Sequence, residues 1–340
     1  MIRTTKSRKM LGMLLALFTA GGMMLAGCGG GGGGSVSSSS SSGSSTSEGT
    51  YTGAASQGDL AIFSFDGKNL TYEVSGPVFG DKKGTMTLEK VAPDSPVYKN
   101  PEGDVYTFFA GNLGIAEIDF DNNQVAYVVG LKDVKAPDMQ ELNGKDLLYF
   151  EALNDGTTSI KELKLGNGTW ELYDLNGNEI SNGTLEIQDN YLVAKEGNDT
   201  VARVIIEPGN RLAFVVDYAD GSGFGIGLER KELTTEDVVG TYLNHYYDDN
   251  DDIECVGKVT IQESENGTIT YNYDETWCSD GQPEDDKGVI LLNQLCDGTP
   301  FDGIVCVKSD ITGEEEEAFI DSQDGYYIFK NGYSVGAKVE

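Results

Sequence analysis

Histidine is nearly missing from this sequence. The 340 residues contain one, His245, within Tyr242-Leu243-Asn244-His245-Tyr246-Tyr247. A histidine-based triad or a multi-histidine zinc site would have to be built around that single side chain. The plain reading of a lone strand histidine is a structural or exposed group. No nucleophile-elbow serine, phosphate loop or dinucleotide fingerprint occurs either, so the commonest sequence signs of serine hydrolases and nucleotide-dependent enzymes are missing. Cations are scarce: 24 Lys and Arg face 56 Asp and Glu, a formal charge of −32. After Leu233 there is no arginine, and five lysines face 25 acidic residues. Such a surface repels nucleic acid and anionic lipid headgroups, and it suits cations, basic protein partners or a salty medium. Its plain reading is solubility.

No long amphipathic helix is legible after residue 50. Short alternating runs separated by Asn, Asp and Gly recur instead, about every 8 to 12 residues, which is the pattern of an all-β sandwich or barrel. Three stretches share one template. Ala61–Phe65, Ser159–Leu165 and Gly257–Ile261 are each followed by a turn and a partner strand: Leu70–Val74, Thr169–Tyr173 and Thr268–Tyr271. The turns carry Asp66-Gly67, Asn167-Gly168 and Asn266-Gly267, pairs that tolerate positive φ. A glycine opens the next strand each time, at Gly84, Gly183 and Gly288. Later strands correspond more loosely: Ile115–Phe120, Val201–Ile206 and Ala318–Asp321, then Val125–Val129, Leu212–Val216 and Tyr326–Phe329. The pattern predicts three tandem modules over 49–136, 137–233 and 234–340.

The module entries agree with this division. Pro137–Gly144 and Thr234–Tyr242 each read as a short capped helical turn, then a glycine and a strand. The second entry is similar to that of lipocalin-like bacterial domains. That resemblance implies a helical turn closing one end of a meander barrel, with the strand Gly240-Thr241-Tyr242 starting it. The expected fold is therefore all-β: tandem small antiparallel meander barrels, lipocalin-like, or β-sandwiches.

Four of the five cysteines lie in the third module: Cys255, Cys278, Cys296 and Cys306. Folding about Asn266-Gly267 brings Cys255 opposite the Cys278 region, and folding about Gly298–Asp302 brings Cys296 near Cys306. Two disulfides, Cys255–Cys278 and Cys296–Cys306, are expected. A four-cysteine zinc site is the alternative, but no C-x-x-C pair supports it.

The fifth cysteine, Cys28, ends a different kind of segment. Arg3, Lys6, Arg8 and Lys9 precede an apolar run from Met10 to Ala26, the layout of a secretion signal. Leu25-Ala26-Gly27-Cys28 resembles the bacterial lipobox. The resemblance implies cleavage after residue 27, lipidation of Cys28 and membrane anchoring by palmitate-class chains, with Gly29 pointing to the outer membrane. Loss of the four basic signal residues would take the charge from −32 to −36. Residues 28–48 are almost entirely Gly and Ser after the cysteine, a tether spanning about 25 Å.

Candidate chemistry is thin. Asp248, Asn250, Asp252 and Glu254 place oxygen ligands at alternate positions and resemble the start of a calcium loop. Ile253 stands where an EF-hand needs glycine, and calcium is the one cofactor this chain suggests. Asp119, Asp121 and Asn123 repeat the pattern more weakly, and Glu314–Glu317 reads as a charged strand edge. Tyr246, Tyr247, Tyr271, Tyr273 and Trp277 could stack on sugars or apolar ligands, although strands favour these residues anyway. The expected function is a non-enzymatic envelope lipoprotein that binds a ligand or partner (a cation, glycan, lipid or basic protein) or acts as a spacer. The alternative is a secreted polysaccharide hydrolase using paired carboxylates.

Overall fold

The computed structural model describes residues 47–340 except 56–57, 92–95, 103–105, 111, 121–123, 154–157, 208–212, 249–252, 279–280, 282–284, 321–325, 330–333 and 339–340. The expected signal, Cys28 and nearly all of the tether lie outside the described residues.

Three antiparallel meanders follow one another. The first contains β1 (Gly49–Ala55), β2 (Leu60–Phe65), β3 (Asn69–Ser75), β4 (Lys82–Thr87), β5 (Glu89–Lys90), β6 (Val97–Lys99), β7 (Tyr106–Ala110), β8 (Leu113–Phe120) and β9 (Gln124–Lys132). Its sheet order runs β4-β3-β2-β1-β9-β8-β7-β6-β5. The two ends of that order are successive pieces of one chain run, interrupted at buried Leu88, so the backbone itself joins one edge to the other.

A four-residue helix, α1 (Met139–Leu142), leads into a closed barrel of β10 (Lys145–Leu153), β11 (Thr158–Leu165), β12 (Thr169–Tyr173), β13 (Glu179–Gln188), β14 (Tyr191–Glu196), β15 (Asp199–Ile206), β16 (Ala213–Tyr218) and β17 (Gly223–Glu229). A second short helix, α2 (Thr235–Val238), precedes the third sheet. This closed barrel comprises β18 (Gly240–Asp248), β19 (Ile253–Glu263), β20 (Ile269–Cys278), β21 (Asp285–Gln294), β22 (Pro300–Ser309), β23 (Glu315–Ile320), β24 (Tyr326–Phe329) and β25 (Ser334–Lys338). The protein is all-β, with two closed barrels and a first, barrel-like sheet whose two ends are joined by the chain.

Both helices are capped as their sequences suggest. Asp138 accepts a bond from the Gln140 amide, and Asp237 accepts from both the amide and the hydroxyl of Thr234. Each helix drops one apolar side chain into its barrel end, Leu142 and Val238.

The recurring glycine now has a physical reason. Gly84, Gly183 and Gly288 pair directly with Tyr72, Trp170 and Tyr271 on the preceding strand. A Cβ on these glycines would lie 2.4 Å from the Tyr72 hydroxyl, 2.8 Å from Trp170 Nε1 and 2.9 Å from the Tyr271 ring. Each aromatic ring therefore lies across a glycine, a device that lets a strand bend round a small barrel. Tyr51 and Tyr242 form a second repeated element: each donates its hydroxyl to the carbonyl four residues back, at Ser47 and Val238.

One expected correspondence was misplaced. Ile115–Phe120 does not correspond to Val201–Ile206 and Ala318–Ile320, which fall in the sixth strands of their barrels, and Asp321 lies outside the described residues. In the first meander that stretch is β8, the seventh run, and β9 is the run that closes onto β1. The broken fourth run and the short β5, β6 and β7 left little alternation to count.

The barrels also pack on one another. Outward-facing residues of all three, among them Leu131, Phe150, Val215, Val256, Ile304 and Phe319, form one shared apolar cluster. Between the first and third barrels, Phe108 stacks on His245 at 5.0 Å and Tyr106 meets Trp277 at 6.0 Å. Between the second and third, Arg230 lies 4.6 Å over the Phe301 ring, and Asn293 brackets Leu233 by bonding both its amide and its carbonyl at 2.8 Å. Between the first and second, Asn112 bonds Glu207, and the turn at Gly58 abuts Gly221 and Gly223.

Candidate functional site

The second barrel encloses a cavity of about 210 Å³. Its inner wall is Leu163, Trp170, Leu185, Ala194, Ala202, Val204 and Val216, all buried. Strand alternation puts these side chains inside, since residues two apart on one strand share a face. Helix α1 fills one barrel end with Leu142, so the cavity lies toward the other end. There Leu172, Ser181, Val201 and Tyr218 are partly exposed, and Glu196 is exposed.

The registers of the first two meanders can be compared position by position. Lys145 pairs with Leu165 as Gly49 pairs with Phe65 in the first meander, which fixes equivalent positions. By that register Leu147, Leu163 and Leu165 stand where the first meander has Tyr51, Phe63 and Phe65. Of the three leucines only Leu163 borders the cavity, where the first meander has the Phe63 ring.

Polar groups gather at the open end. Glu151 is buried and accepts bonds from the Tyr218 hydroxyl and from Ser159 Oγ at 2.7 Å, with Lys161 Nζ 3.4 Å away. Tyr149 and Tyr218 are joined through their hydroxyls at 3.0 Å. Because Tyr218 gives its only proton to Glu151, Tyr149 donates to Tyr218. Burial pushes both phenols above their ordinary range, so both stay protonated at neutral pH. Ser181 lines the cavity, but its Oγ has almost no accessible surface and no hydrogen-bonding protein partner.

Other acidic groups occupy the seams. Asp217 is fully buried on β16 with Arg203 Nε 2.6 Å away. Burial, opposed by Arg203 and aided by the charge of Asp59, raises its carboxyl to about 7. Asp59, also fully buried, accepts from the amides of Val78 and Phe79 at 3.0 and 2.6 Å. Asp146 is raised to about 6 by burial and by neighbouring Glu162, which is itself ion-paired to Arg230.

The residues singled out from sequence fall in different places. Cys255 is bonded to Cys278, with Cα atoms 4.1 Å apart, and Cys296 to Cys306, with Cα atoms 4.9 Å apart. Both lie beside seams: Val256 and Trp277 flank the first and face the first barrel, while Phe301 and Ile304 lie between the cysteines of the second and face the second barrel. Asn250 and Asp252 lie outside the described residues, and Asp248 and Glu254 enter only as paired backbone positions of β18 and β19. Asp119 is exposed on β8, while Asp121 and Asn123 lie outside the described residues.

The aromatic surface is not a surface where its side chains are described. Tyr271 and Tyr273 point into the third barrel, and Trp277 packs on Tyr106. His245 is a buried seam residue. Glu315–Glu317 belong to β23, an internal strand of a closed barrel, so they block no edge. Sequence reasoning missed the cavity. Leu163 at the position of the Phe63 ring is a signal only once the register is known.

No family model matches this chain, and no curated protein does. Solved structures with partial likeness include a protein of unknown function of the DUF3598 family from Nostoc punctiforme, at 13% identity and TM-score 0.20, over 59% of this chain and 97% of that one. Transferrin binding protein B from Neisseria meningitidis is 12% identical at TM-score 0.18, over 83% and 66%. A DNA polymerase sliding clamp from Pseudomonas aeruginosa is 10% identical at TM-score 0.14, over 97% of both. Likeness at this level assigns no role. Among the described residues, no helix is long and apolar enough to cross a membrane.

Proposed function

We propose that this chain is a non-enzymatic envelope lipoprotein whose second barrel holds a small apolar ligand, with lipid on Cys28 keeping it at the outer membrane. The observation that carries the reading is the cavity of about 210 Å³ with an apolar wall and a polar open end. Ligand sites have this make-up: apolar lining with a few placed polar groups. A dry cavity of about 150 Å³ holds benzene, so the occupant is ring-sized or a short chain rather than a whole lipid. The spacer role is the weaker reading, because mutual packing of three barrels shortens the molecule. A hydrolase needs two carboxylates facing across an open cleft. Asp217 and Glu162 instead face arginines and Asp59 accepts backbone amides, at the seams between barrels.

Native mass spectrometry of residues 49–340, released from the producing cell's envelope, tests the proposal. A reproducible small-molecule adduct, lost in Ala202→Phe, is expected. A bare mass from the native source would move the assignment to a structural or partner-binding role. An adduct of calcium alone would turn attention to the Asp248–Glu254 loop.

A further inference from the structure

The second barrel is closed, yet one stretch of β13 has a neighbouring strand on one side only. Pairing with β12 extends from Thr184 back to Glu179, whereas pairing with β14 stops at Thr184. Beyond that point β14 ends at Glu196 and turns away through Gly197 and Asn198 into β15. Alternation fixes which backbone groups this leaves. Leu185 donates its amide to Gly168 on the β12 side, so Thr184, Asn182 and Ile180 direct their amides and carbonyls to the β14 side. Among the described residues, those of Asn182 and Ile180 have no partner there. Both residues are exposed, and Ile180, at 48%, is the most exposed of the large hydrophobic side chains.

In the third barrel the same position is covered. Lys287 precedes Gly288 as Asn182 precedes Gly183, and its carbonyl accepts from the Asp310 amide at 2.9 Å. The residue that follows β22 thus lies against that edge, while the tight turn Glu196–Asp199 leaves β13 bare.

An unpaired strand edge is a template for another extended chain, and charge decides which chain. Glu179 begins the edge, and Glu196 and Asp199 close the turn beside it. All three are exposed, and none is ion-paired among the described residues. Lys195, the cation of this ladder, is held by Glu186 at 2.5 Å. The module over 137–233 carries 18 acidic and eight basic side chains, so a second copy of the same edge would set like charges side by side.

We infer that the edge of β13 from Glu179 to Asn182 is a docking site for an extended basic segment of a protein partner. The segment adds a short strand beside β13, sets an apolar side chain against Ile180 and meets Glu179, Glu196 and Asp199 with lysine or arginine. The inference goes beyond the cavity and does not rest on a ligand in it.

The test uses the full chain and two capped octapeptides, one of alternating lysine and valine and one of alternating glutamate and valine. Binding is followed by calorimetry, and its place by hydrogen exchange read with mass spectrometry. The lysine peptide should bind and slow exchange of the Ile180 and Asn182 amides, and the glutamate peptide should bind at least tenfold more weakly. Asn182→Pro removes an amide that points off the sheet, a position where a strand accepts proline, and should weaken the lysine peptide about tenfold. Should that variant fail to fold, the exchange pattern of the unmodified chain decides alone. Binding that leaves exchange in β13 unchanged would reveal diffuse attraction to an acidic surface and overturn the inference. So would no binding, or protection of β13 that grows with protein concentration without peptide, which would make a second copy the occupant.

Discussion

The first and second barrels are built on one meander and filled in opposite ways. Inside the first, eight aromatic rings are buried among the described residues, from Tyr51 to Phe120, and they touch in chains: Tyr51 on Phe63 at 5.0 Å, Phe65 on Phe109 at 4.9 Å, Tyr98 on Phe65 at 4.7 Å. Inside the second, three rings are buried (Tyr149, Trp170 and Phe214), and the rest of the core is aliphatic. A small barrel has room for side chains and little else. At Leu163, which borders the cavity, the first interior has the Phe63 ring, while Tyr149 and Trp170 of the second stand where the first has Gly53 and Leu70. The comparison teaches that the meander sets the fold, while the side chains at a few inward positions decide whether a barrel is a solid block or a container.

The sharpest way to break that comparison is to truncate both barrels at the same register position. Phe63 is fully buried and stacked, so Phe63→Ala should cost about 4 kcal/mol of stability through lost burial and a new cavity. Leu163 already borders empty space and has fewer neighbours to lose, so Leu163→Ala should cost about 2 kcal/mol. Equilibrium urea unfolding of the two variants checks the difference, and equal losses would mean that the second barrel collapses around its cavity in solution.

The glycines give the next largest effect. A Cβ at Gly183 would meet the Lys195 carbonyl at 1.9 Å, which is backbone and cannot swing aside, whereas at Gly84 the nearest obstacle is the end of the Tyr72 side chain at 2.4 Å. Gly183→Ala should therefore cost about 2 to 3 kcal/mol and Gly84→Ala about 1 kcal/mol. Thermal unfolding of the pair measures this. A cheap Gly183→Ala would show that β13 and β14 are not held at the separation described.

Much of the fold was legible because alternation and turn chemistry are local. Asn-Gly and Asp-Gly turns located hairpins, and their register gave the cysteine partners. The opening glycines marked equivalent strands before their aromatic partners were visible. What stayed hidden depends on closure and on long-range contact. The interruption at Leu88 and the two-residue β5 carry no periodic signal, so the first meander was read one run short. Nothing local in Phe108 or Tyr106 announces that they will meet His245 and Trp277, more than a hundred positions away. The site was less legible still: a cavity is made by what is absent, and Leu163 reads as ordinary core until Phe63 stands beside it at the same register.

The last contrast lies where the two barrels meet. Asp59 of the first is held by two backbone amides, while Asp217 of the second depends on Arg203 alone and sits near the charge of Asp59. With its carboxyl raised to about 7, Asp217 in the folded chain keeps a proton that the unfolded chain has released above about pH 4. Its contribution to stability is therefore full below pH 4 and is lost as pH rises toward 7, because the folded state binds the extra proton in that window. Asp146, raised to about 6, acts in the same direction over a narrower range. Stability should fall by up to about 4 kcal/mol between pH 4 and pH 7 from Asp217, since the attraction of Arg203 is already contained in a carboxyl raised to about 7. Asp217→Asn, which cannot titrate, should flatten that slope, and urea midpoints across this range would show it. An unchanged slope in the variant would place the proton elsewhere and leave Asp217 ionised against Arg203, making the seam a permanent ion pair rather than a pH-sensitive one.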